Sequence, residues 1–490
     1  MESKKETIIF FPFMSQGHIT PFLALALETE KKGYNIVFIN TPLNIKKLKT
    51  TIPTSSSIKL LQLPFNSSDH GLPPDSEDTD LLPYNLIFQL LEVSSCLEAP
   101  LRQLINDLII QQGGVKPLCV IADFFLGWSA KVVHEFDVFH AIFSGSGGYG
   151  LACYYSMWLT LPHKQTEKVE FCLPDFPEAG KFHISQLSAS FLVADGSDPY
   201  STFQRRNLPT WLDSDAVLFN TIEEIDQIGL VYFRRKLGIP IWAIGPILLS
   251  QNHRVRDSIT KPSNVSLEQC IEFLDSKERN SVLYISFGSQ NSISASQMMK
   301  LARALDTSGK NFIWVVRPPL GFDINAQFKA EEWLPEGFVE RVEEEKRGLI
   351  ISNWAPQVEI LSHKSVAAFF NHCGWNSVLE SLVYGIPIIG WPMAAEQFFN
   401  AKFLVEELGV CLEVARGVNF EVRHDDIAQM IEMLMGEKNK KGKEMRNKCY
   451  EIKKLIKDAI RDEDNFKGSS VNGMDEFLMA AMQVKEDGRW

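Results

Sequence analysis

The composition of the chain limits both its organisation and its partners. Its 490 residues, 45% of them hydrophobic, can form more than one buried core. The 61 acidic residues outnumber the 49 lysines and arginines, and the formal net charge of −12 disfavours binding to nucleic acid or anionic lipid. No apolar run reaches the roughly eighteen residues of a membrane span. Eight cysteines without CxxC spacing predict free, buried thiols. We therefore expect a cytoplasmic monomer that binds no nucleic acid and inserts into no membrane.

The N-terminal half alternates apolar runs with helical patterns. Strands are predicted at residues 8–13, 36–40, 118–122 and 139–143. A loop at 15–17 follows the first strand, and the next helix ends near Gly33. This alternation predicts a parallel sheet covered by helices.

A second alternation follows a stretch without apolar periodicity at residues 251–266, which predicts a linker. Strands are predicted at 282–287, 312–316, 349–352, 366–370 and 386–390, and a helix ends at Gly309. We expect an N-terminal domain at 1–250 and a C-terminal domain at 267–470, with a final helix at 471–490 that packs on the N-terminal domain. The predicted fold class is α/β, with two doubly wound, Rossmann-like domains that face each other across a cleft.

Polar side chains follow four of the predicted strands: His18, Asp123, Ser289 and His372. Ligands of open α/β sheets bind at the carboxyl ends of the strands, so these residues are candidates for a site. A lone histidine is usually structural. Asp123 changes this interpretation, because an acidic residue that ends a buried strand needs a partner. A neutral imidazole held by such a carboxylate is a general base.

Residues 354–397 carry the densest group of candidates. His372, Gly374, Asn376 and Ser377 lie between an apolar strand and a helical pattern, where unpaired helix N–H groups can bind a diphosphate. The alternative is a capping box formed by Ser377 and Glu380. At the ends of the block, Trp354 could stack on a nucleobase, and Glu396 with Gln397 could bind a polyol.

Two other motifs suggest different chemistry. GSGGYG at 145–150 matches a dinucleotide-binding turn, which keeps an NAD(P)-dependent oxidoreductase open as an alternative, although a tight strand-to-helix turn fits better. The acidic triplets Asp78-Thr-Asp80, Asp213-Ser-Asp215 and Asp462-Glu-Asp464 do not follow apolar strands and are interpreted as chance matches. Because zinc-binding spacings are also missing from the sequence, we expect neither a metal nor a cofactor.

The block from WAPQ through HCGWNS to Glu396-Gln397 resembles the signature of the plant family 1 UDP-dependent glycosyltransferases, which act on small secondary metabolites. The resemblance covers most of the chain and is weakest at residues 65–82 and 162–209. It implies a GT-B fold, UDP-glucose as the donor substrate, and a catalytic pair of His18 and Asp123. It also implies the donor contacts: Trp354, Ala355 and Gln357 for uracil, Glu380 for ribose, Ser289, His372, Asn376 and Ser377 for the diphosphate, and Trp375, Glu396 and Gln397 for the sugar.

The resemblance implies a metal-independent, inverting displacement in which His18 deprotonates the acceptor hydroxyl and Asp123 orients it. The acceptor pocket is predicted from aromatic and small residues near the same strands: His18, Phe124, Phe125, Ser144, Tyr149, Tyr154 and Trp158. Phenolic and terpenoid acceptors both fit, and both O- and C-glycosylation remain open. A non-catalytic UDP-sugar binder is a further alternative, against which the pair of His18 and Asp123 argues.

Overall fold

The computed structural model of the protein describes residues 5–249, 263–417, 420–436 and 438–488. It divides into two compact units. Unit 1 contains Met1–Lys181, Val193–His253 and Asp458–Trp490, and unit 2 contains Phe182–Leu192 and Arg254–Lys457. Most of the predicted linker, up to residue 262, lies outside the described residues.

Unit 1 is built on a seven-stranded sheet of order β3-β2-β1-β4-β5-β8-β9, in which neighbouring strands are parallel. The strands are β1 Thr7–Phe11, β2 Asn35–Asn40, β3 Lys59–Gln62, β4 Cys119–Asp123, β5 Phe139–Ser144, β8 Ala216–Phe219 and β9 Ile241–Ala243, with the short strands β6 Glu170–Cys172 and β7 Lys181–His183 outside this sheet. The chain reverses its direction of winding between β1 and β4. Their carboxyl ends are therefore the expected ligand site of this unit.

Unit 2 contains a six-stranded parallel sheet with the same type of winding, of order β12-β11-β10-β13-β14-β15. The strands are β10 Val282–Ser286, β11 Asn311–Val316, β12 Gly348–Ser352, β13 Val366–Asn371, β14 Ile388–Gly390 and β15 Cys411–Glu413; a hairpin of β16 Asp462–Glu463 and β17 Phe466–Lys467 follows later in the chain, in unit 1. Here the switch in winding lies between β10 and β13.

Helices connect these strands. Up to residue 249 they are α1 Gln16–Lys31, α2 Pro42–Thr51, α3 Tyr84–Val93, α4 Glu98–Gln111, α5 Ser129–His134, α6 Gly148–Thr160, α7 Ala189–Val193, α8 Pro199–Asn207 and α9 Glu223–Leu237. From residue 263 they are α10 Leu267–Asp275, α11 Ala295–Ser308, α12 Ala330–Trp333, α13 Phe338–Glu344, α14 Gln357–Ser362, α15 Trp375–Tyr384, α16 Gln397–Lys402, α17 His424–Met435, α18 Lys440–Ala459 and α19 Ser469–Asp487. The predicted α/β class with two parallel-sheet domains is confirmed.

The continuous apolar strands have a simple physical origin. In β1, Ile8 and Phe10 belong to the core on one face of the sheet, and Ile9 and Phe11 belong to the core on the other. Alternate residues of a strand point to opposite faces, so a strand covered by helices on both sides is apolar throughout. Helix α11 shows how a boundary is encoded, because Ser294 and Gln297 form a capping box and Gly309, at φ +60°, ends the helix as predicted.

Several predicted boundaries differ from the structure. Strands β3, β8, β9 and β15 have three or four residues each and were not predicted. The final helix begins at Ser469, and the chain returns to unit 1 at Asp458 rather than at 471. This helix lies on unit 1, where Trp242 Nε1 donates to Glu476 at 2.9 Å. All eight cysteines are free, but Cys96 and Cys172 are exposed, contrary to the prediction of buried thiols.

The segment 182–192 lies in the N-terminal half of the sequence but belongs to unit 2. Phe182 and Phe191 pack on Phe399, with ring centroids 5.8 and 5.6 Å away. The Lys402 ammonium lies over the Phe182 ring, and Arg416 donates to Ser185 at 2.6 Å. The sequence-based boundary at residue 250 missed this segment, because its partners are more than 200 residues away.

Candidate active site

The first group of predicted site residues lies at the winding switch of unit 1. His18 is in the first turn of α1 rather than in a loop, which corrects the prediction for residues 15–17. The Ser15 carbonyl accepts hydrogen bonds from the N–H groups of His18 and Ile19, so the helical ladder starts before Gly17. Asp123 is the last residue of β4, the strand that pairs with β1.

His18 and Asp123 are in direct contact, with 2.7 Å between Nδ1 and Oδ2. The carboxylate is completely buried, whereas the histidine side chain is 22% exposed. The other oxygen, Asp123 Oδ1, accepts a hydrogen bond from the Phe125 N–H at 3.0 Å and is fixed by it. When Nδ1 donates to Asp123, the lone pair of the neutral imidazole is at Nε2. The pair can therefore accept a proton at Nε2.

Aromatic rings surround the imidazole. The centroids of Phe13, Phe124 and Phe125 lie 5.8, 5.3 and 5.5 Å from that of His18. Phe124 is buried and Phe125 is only partly buried. This environment restricts the ring of the histidine and places apolar side chains next to it.

The other predicted acceptor residues are less accessible. Ser144 and Tyr149 have no exposed surface, and the Tyr149 hydroxyl donates to the Ala179 carbonyl at 3.2 Å. Tyr154 and Trp158 are 4% and 0% exposed. All but the last turn of α6 is buried, so these side chains form core in this structure instead of lining an open pocket, contrary to the prediction.

The GSGGYG turn is already occupied by a protein carboxylate. Asp226, fully buried, accepts hydrogen bonds from the backbone N–H groups of Gly148 and Tyr149 at the start of α6. Burial raises the pKa of Asp226 to about 7. A dinucleotide phosphate would need the same N–H groups. The geometry therefore argues against the oxidoreductase alternative and favours a structural turn.

The second group of site residues lies at the winding switch of unit 2. Helix α15 follows β13 and begins at Trp375, with Gly374 as its cap and without a side-chain hydrogen bond to that end. Ser377 is the third residue of this helix, so it is not the N-cap of a capping box with Glu380. Its N-cap residue, Gly374, has no side chain that could cap the first turn.

Two glycines enclose the His372 imidazole. A Cβ atom at Gly374 would lie 2.3 Å from His372 Nε2, and one at Gly288, where φ is +82°, would lie 2.8 Å from Cε1. Gly288 directly follows the predicted strand 282–287 but was not among the predicted site residues; a glycine at a strand end was the available signal. Burial lowers the pKa of His372 to about 4, so its ring is neutral at neutral pH and carries one N–H group rather than a positive charge.

Trp354 and Gln357 lie after β12. Trp354 is partly exposed, and Ala355 is buried. The Gln357 amide donates to Glu380 at 2.6 Å and to Ser377 at 3.2 Å, which joins residues predicted to contact the base, ribose and diphosphate. Ser289, in a bend after β10, is partly exposed.

The predicted sugar contacts follow β14. Both Met393 and Ala394 donate their N–H to Gln397 Oε1 at 3.0 Å, so the amide group Nε2 is the donor that remains for a ligand. Glu396 caps α16 and is partly exposed. Trp375 is only 3% exposed and packs near Phe403, so its ring is not accessible to a sugar.

The acidic triplets do not assemble a metal site. Asp213 pairs with Lys131 at 3.8 Å, and Asp215 accepts from His134 and from the His140 N–H. Asp462 begins the β16 strand. Within the described residues there is no group of three or more His, Cys, Asp or Glu side chains arranged to hold a metal ion. The helices of the described part are also too short or too polar to cross a membrane.

The two doubly wound parallel-sheet domains, one with a histidine–aspartate pair and the other with a glycine-capped helix start, define the GT-B class of glycosyltransferases. A family model described as UDP-glucoronosyl and UDP-glucosyl transferase matches residues 241–451. UDP-glycosyltransferase 92A1 of Arabidopsis thaliana is 50% identical and the match covers 98% of this chain and 97% of that protein. Crocetin glucosyltransferase 3 of Crocus sativus is 40% identical, with 91% and 94% covered. The chain belongs to this family and is a UDP-glycosyltransferase.

Solved structures agree with this assignment. UGT73P12 of Glycyrrhiza uralensis, complexed with glycyrrhetinic acid 3-O-monoglucuronide, superimposes with a TM-score of 0.83 at 28% identity, covering 99% of this chain and 97% of that one. A UDP-glucosyltransferase from Polygonum tinctorium that glucosylates indoxyl gives a TM-score of 0.78 at 25% identity, with 98% and 100% covered.

Proposed function

We propose that this enzyme transfers glucose from UDP-glucose to a hydroxyl group of a small aromatic or terpenoid acceptor, with inversion at the anomeric carbon. The observation that carries the proposal is the 2.7 Å contact between His18 Nδ1 and Asp123 Oδ2 at the winding switch of unit 1. The names of two relatives support glucose as the transferred sugar. They are crocetin glucosyltransferase 3, and scopoletin glucosyltransferase of Nicotiana tabacum, which is 34% identical over 96% of this chain.

In the proposed reaction, His18 Nε2 accepts the proton of the acceptor hydroxyl as its oxygen attacks the anomeric carbon. The imidazolium that forms is stabilised by the carboxylate of Asp123, which is held in place by the Phe125 N–H. One displacement on the face opposite the leaving group converts an α-linked sugar donor into a β-glucoside. This step needs only one base.

We propose that the donor binds to unit 2. Trp354 stacks on uracil, Ala355 and Gln357 contact its edge, and Glu380 accepts from the ribose hydroxyls. The negative charge that develops on the leaving UDP is stabilised by the N–H groups at the start of α15, by the neutral His372 ring, and by Ser289, Asn376 and Ser377. In metal-dependent transferases a divalent cation stabilises the leaving group. Here these hydrogen-bond donors have that role, so we propose metal-independent transfer.

The proposed sugar contacts follow from the orientation of one amide. Two backbone N–H groups hold the carbonyl oxygen of Gln397, so its amino group is the end that donates to a glucose hydroxyl. Glu396 supplies a carboxylate acceptor next to it, and the buried Trp375 contributes through its backbone. A planar aromatic acceptor fits the apolar surface that Phe124 and Phe125 form around His18.

The test is to incubate the enzyme with UDP-glucose and a panel of phenolic and terpenoid alcohols and to look for hexose addition by mass spectrometry. The proton coupling of the anomeric position in the product then reports its configuration. We expect a β-glucoside with at least one acceptor class. An α-linked product would refute the inverting mechanism, and binding of UDP without transfer to any acceptor would favour the non-catalytic binder.

A further inference from the structure

The loop at residues 76–80, which contains the first acidic triplet, contacts the chain just before His18. The Thr79 N–H donates to the Met14 carbonyl at 3.1 Å, and the Thr79 hydroxyl donates to the Ser15 hydroxyl at 2.9 Å. Ser15 is the N-cap of α1, yet its side chain makes no hydrogen bond to the end of its own helix. A serine at this position ordinarily caps the helix. Here its hydroxyl is bonded to another loop.

Asp78 adds a buried charge to the same contact. Its side chain is 1% exposed, and Oδ2 accepts from Gln16 Nε2 at 2.9 Å and from Lys47 Nζ at 3.2 Å. The second oxygen, Oδ1, accepts from the Asp80 N–H at 2.9 Å. A buried carboxylate is tolerated only with such partners. One of them, Gln16, lies in the helical turn that carries His18.

The opposite side of this loop is fixed to α2. Glu77 Oε2 accepts from the Leu43 N–H at 2.8 Å, in the first turn of that helix, and the Glu77 carbonyl accepts from Asn44 Nδ2 at 2.7 Å. Glu77 is 6% exposed. The loop therefore joins the start of α2 to the start of α1 through buried hydrogen bonds on both sides.

We propose that Asp78 and Thr79 are positioning residues for the general base. The inference rests on the proposed role of His18. Asp123 fixes the direction of the imidazole, but the helical turn that carries the histidine also has to be held, because proton transfer is sensitive to sub-ångström misplacement. Residues 14–16 form three hydrogen bonds with the loop: Met14 and Ser15 accept from Thr79, and Gln16 donates to Asp78, so the loop supports that turn.

The test uses Asp78→Asn and Thr79→Val with acceptors whose hydroxyl pKa rises from an acidic nitrophenol to an aliphatic alcohol. A nitrophenol that is already ionised needs no base, whereas the alcohol depends on one. We expect kcat to fall about tenfold to a hundredfold for the alcohol and much less for the nitrophenol, with KM for UDP-glucose unchanged. Adding Asp78→Asn to His18→Ala should lower kcat no further, because both changes act on the same step.

Asp213→Asn is the matched control, since Asp213 belongs to another acidic triplet of unit 1, is 42% exposed and pairs only loosely with Lys131. We expect this variant to leave kcat unchanged for all acceptors. Equal losses for every acceptor, or losses that add to those of His18→Ala, would overturn the proposal. If Asp78→Asn does not fold, Thr79→Val, which removes one hydroxyl, gives the same readout. Full turnover of an alcohol by His18→Ala would instead refute the proposed role of His18 as the general base, on which this inference rests.

Discussion

The two groups of site residues lie at equivalent places in two sheets of the same winding, yet they are built from different chemistry. In unit 1 a histidine is held by the buried carboxylate of Asp123. In unit 2 a histidine lies between Gly288 and Gly374, and its Nδ1 is buried without a hydrogen-bond partner. In the proposed function, the same position in the fold therefore serves two tasks.

The difference reflects the sign of the charge that each region is proposed to stabilise. A base that gains a proton needs a nearby negative charge, which Asp123 provides to His18. An anion-binding region needs backbone N–H groups and room for phosphate, which glycines provide by having no side chain. The similar winding of the two sheets thus says little about their chemistry, which depends on a few residues after the strands.

His18→Ala should have the largest effect. Without the base, we expect turnover of an alcohol acceptor to fall by about 10²-fold or more, because general base catalysis typically contributes that much. UDP binding should remain nearly unchanged, since the side chain belongs to unit 1. Steady-state kinetics and isothermal titration with UDP measure the two quantities. Near-normal turnover would remove His18 from the mechanism.

Gly374→Ala should have the opposite effect, because it should weaken the binding of UDP. The added Cβ would lie 2.3 Å from His372 Nε2, so the imidazole and the helix start could not keep their present arrangement. Loss of one hydrogen bond to a charged group is worth about 1.5–3 kcal/mol, and we expect UDP affinity to fall roughly tenfold to a hundredfold. Gly309→Ala, which changes a helix end with open space around its Cβ, serves as a control for stability. Unchanged UDP affinity in Gly374→Ala would contradict the phosphate assignment.

Gln397→Glu tests a smaller part of the donor site. The carboxylate retains an acceptor for the N–H groups of Met393 and Ala394 but removes the amide donor proposed for glucose. UDP-glucose should bind about tenfold more weakly, while UDP itself binds as before. An equal loss of affinity for UDP-glucose and for UDP would mean that Gln397 supports the fold and does not contact the sugar.

The smallest effect concerns pH. Burial lowers the pKa of His372 to about 4, so its charge does not change between pH 6 and pH 8. UDP-glucose, whose diphosphate has no free terminal oxygen to titrate, should therefore bind with the same Kd across this range. An imidazolium of ordinary pKa would instead weaken binding as the pH rises through about 6.5. Such a weakening would show that His372 is charged in the complex.

The same histidine also links pH to stability. Its folded pKa of about 4 lies below the ordinary value of 6.5, so the unfolded chain binds the proton more tightly. Its contribution to stability is complete above about pH 6.5 and is lost as the pH falls toward 4. Between pH 6.5 and pH 4 the free energy of unfolding, measured with urea, should therefore fall more in the parent protein than in His372→Gln.

Much of the fold followed from sequence because long buried strands leave a strong pattern. The runs within β1, β10 and β13 are apolar on both faces. Strand β15 was missed because three residues carry little periodicity. The position of His18 in a helix was missed as well, since Gly17 and Pro21 suggested a loop and an interruption.

Contacts between distant segments explain the other differences. Asp78 was interpreted as a chance match, and its bond to Gln16 spans 62 positions of sequence. Tyr149 was predicted to line a pocket because it follows a strand, but α6 is buried on nearly all sides. Which aromatic side chain faces a ligand and which faces the core depends on tertiary packing, which periodicity does not report.

The segment 182–192 affects how the chain can be recombined. A hybrid enzyme joined near residue 250 would take its donor-binding unit from one parent and this segment from the other. Phe399, which contacts Phe182 and Phe191, lies two positions after Gln397, so a mismatched segment would disturb the region proposed to select the sugar. To exchange donor preference between relatives, residues 182–192 therefore have to be transferred from the same parent as residues 254–457.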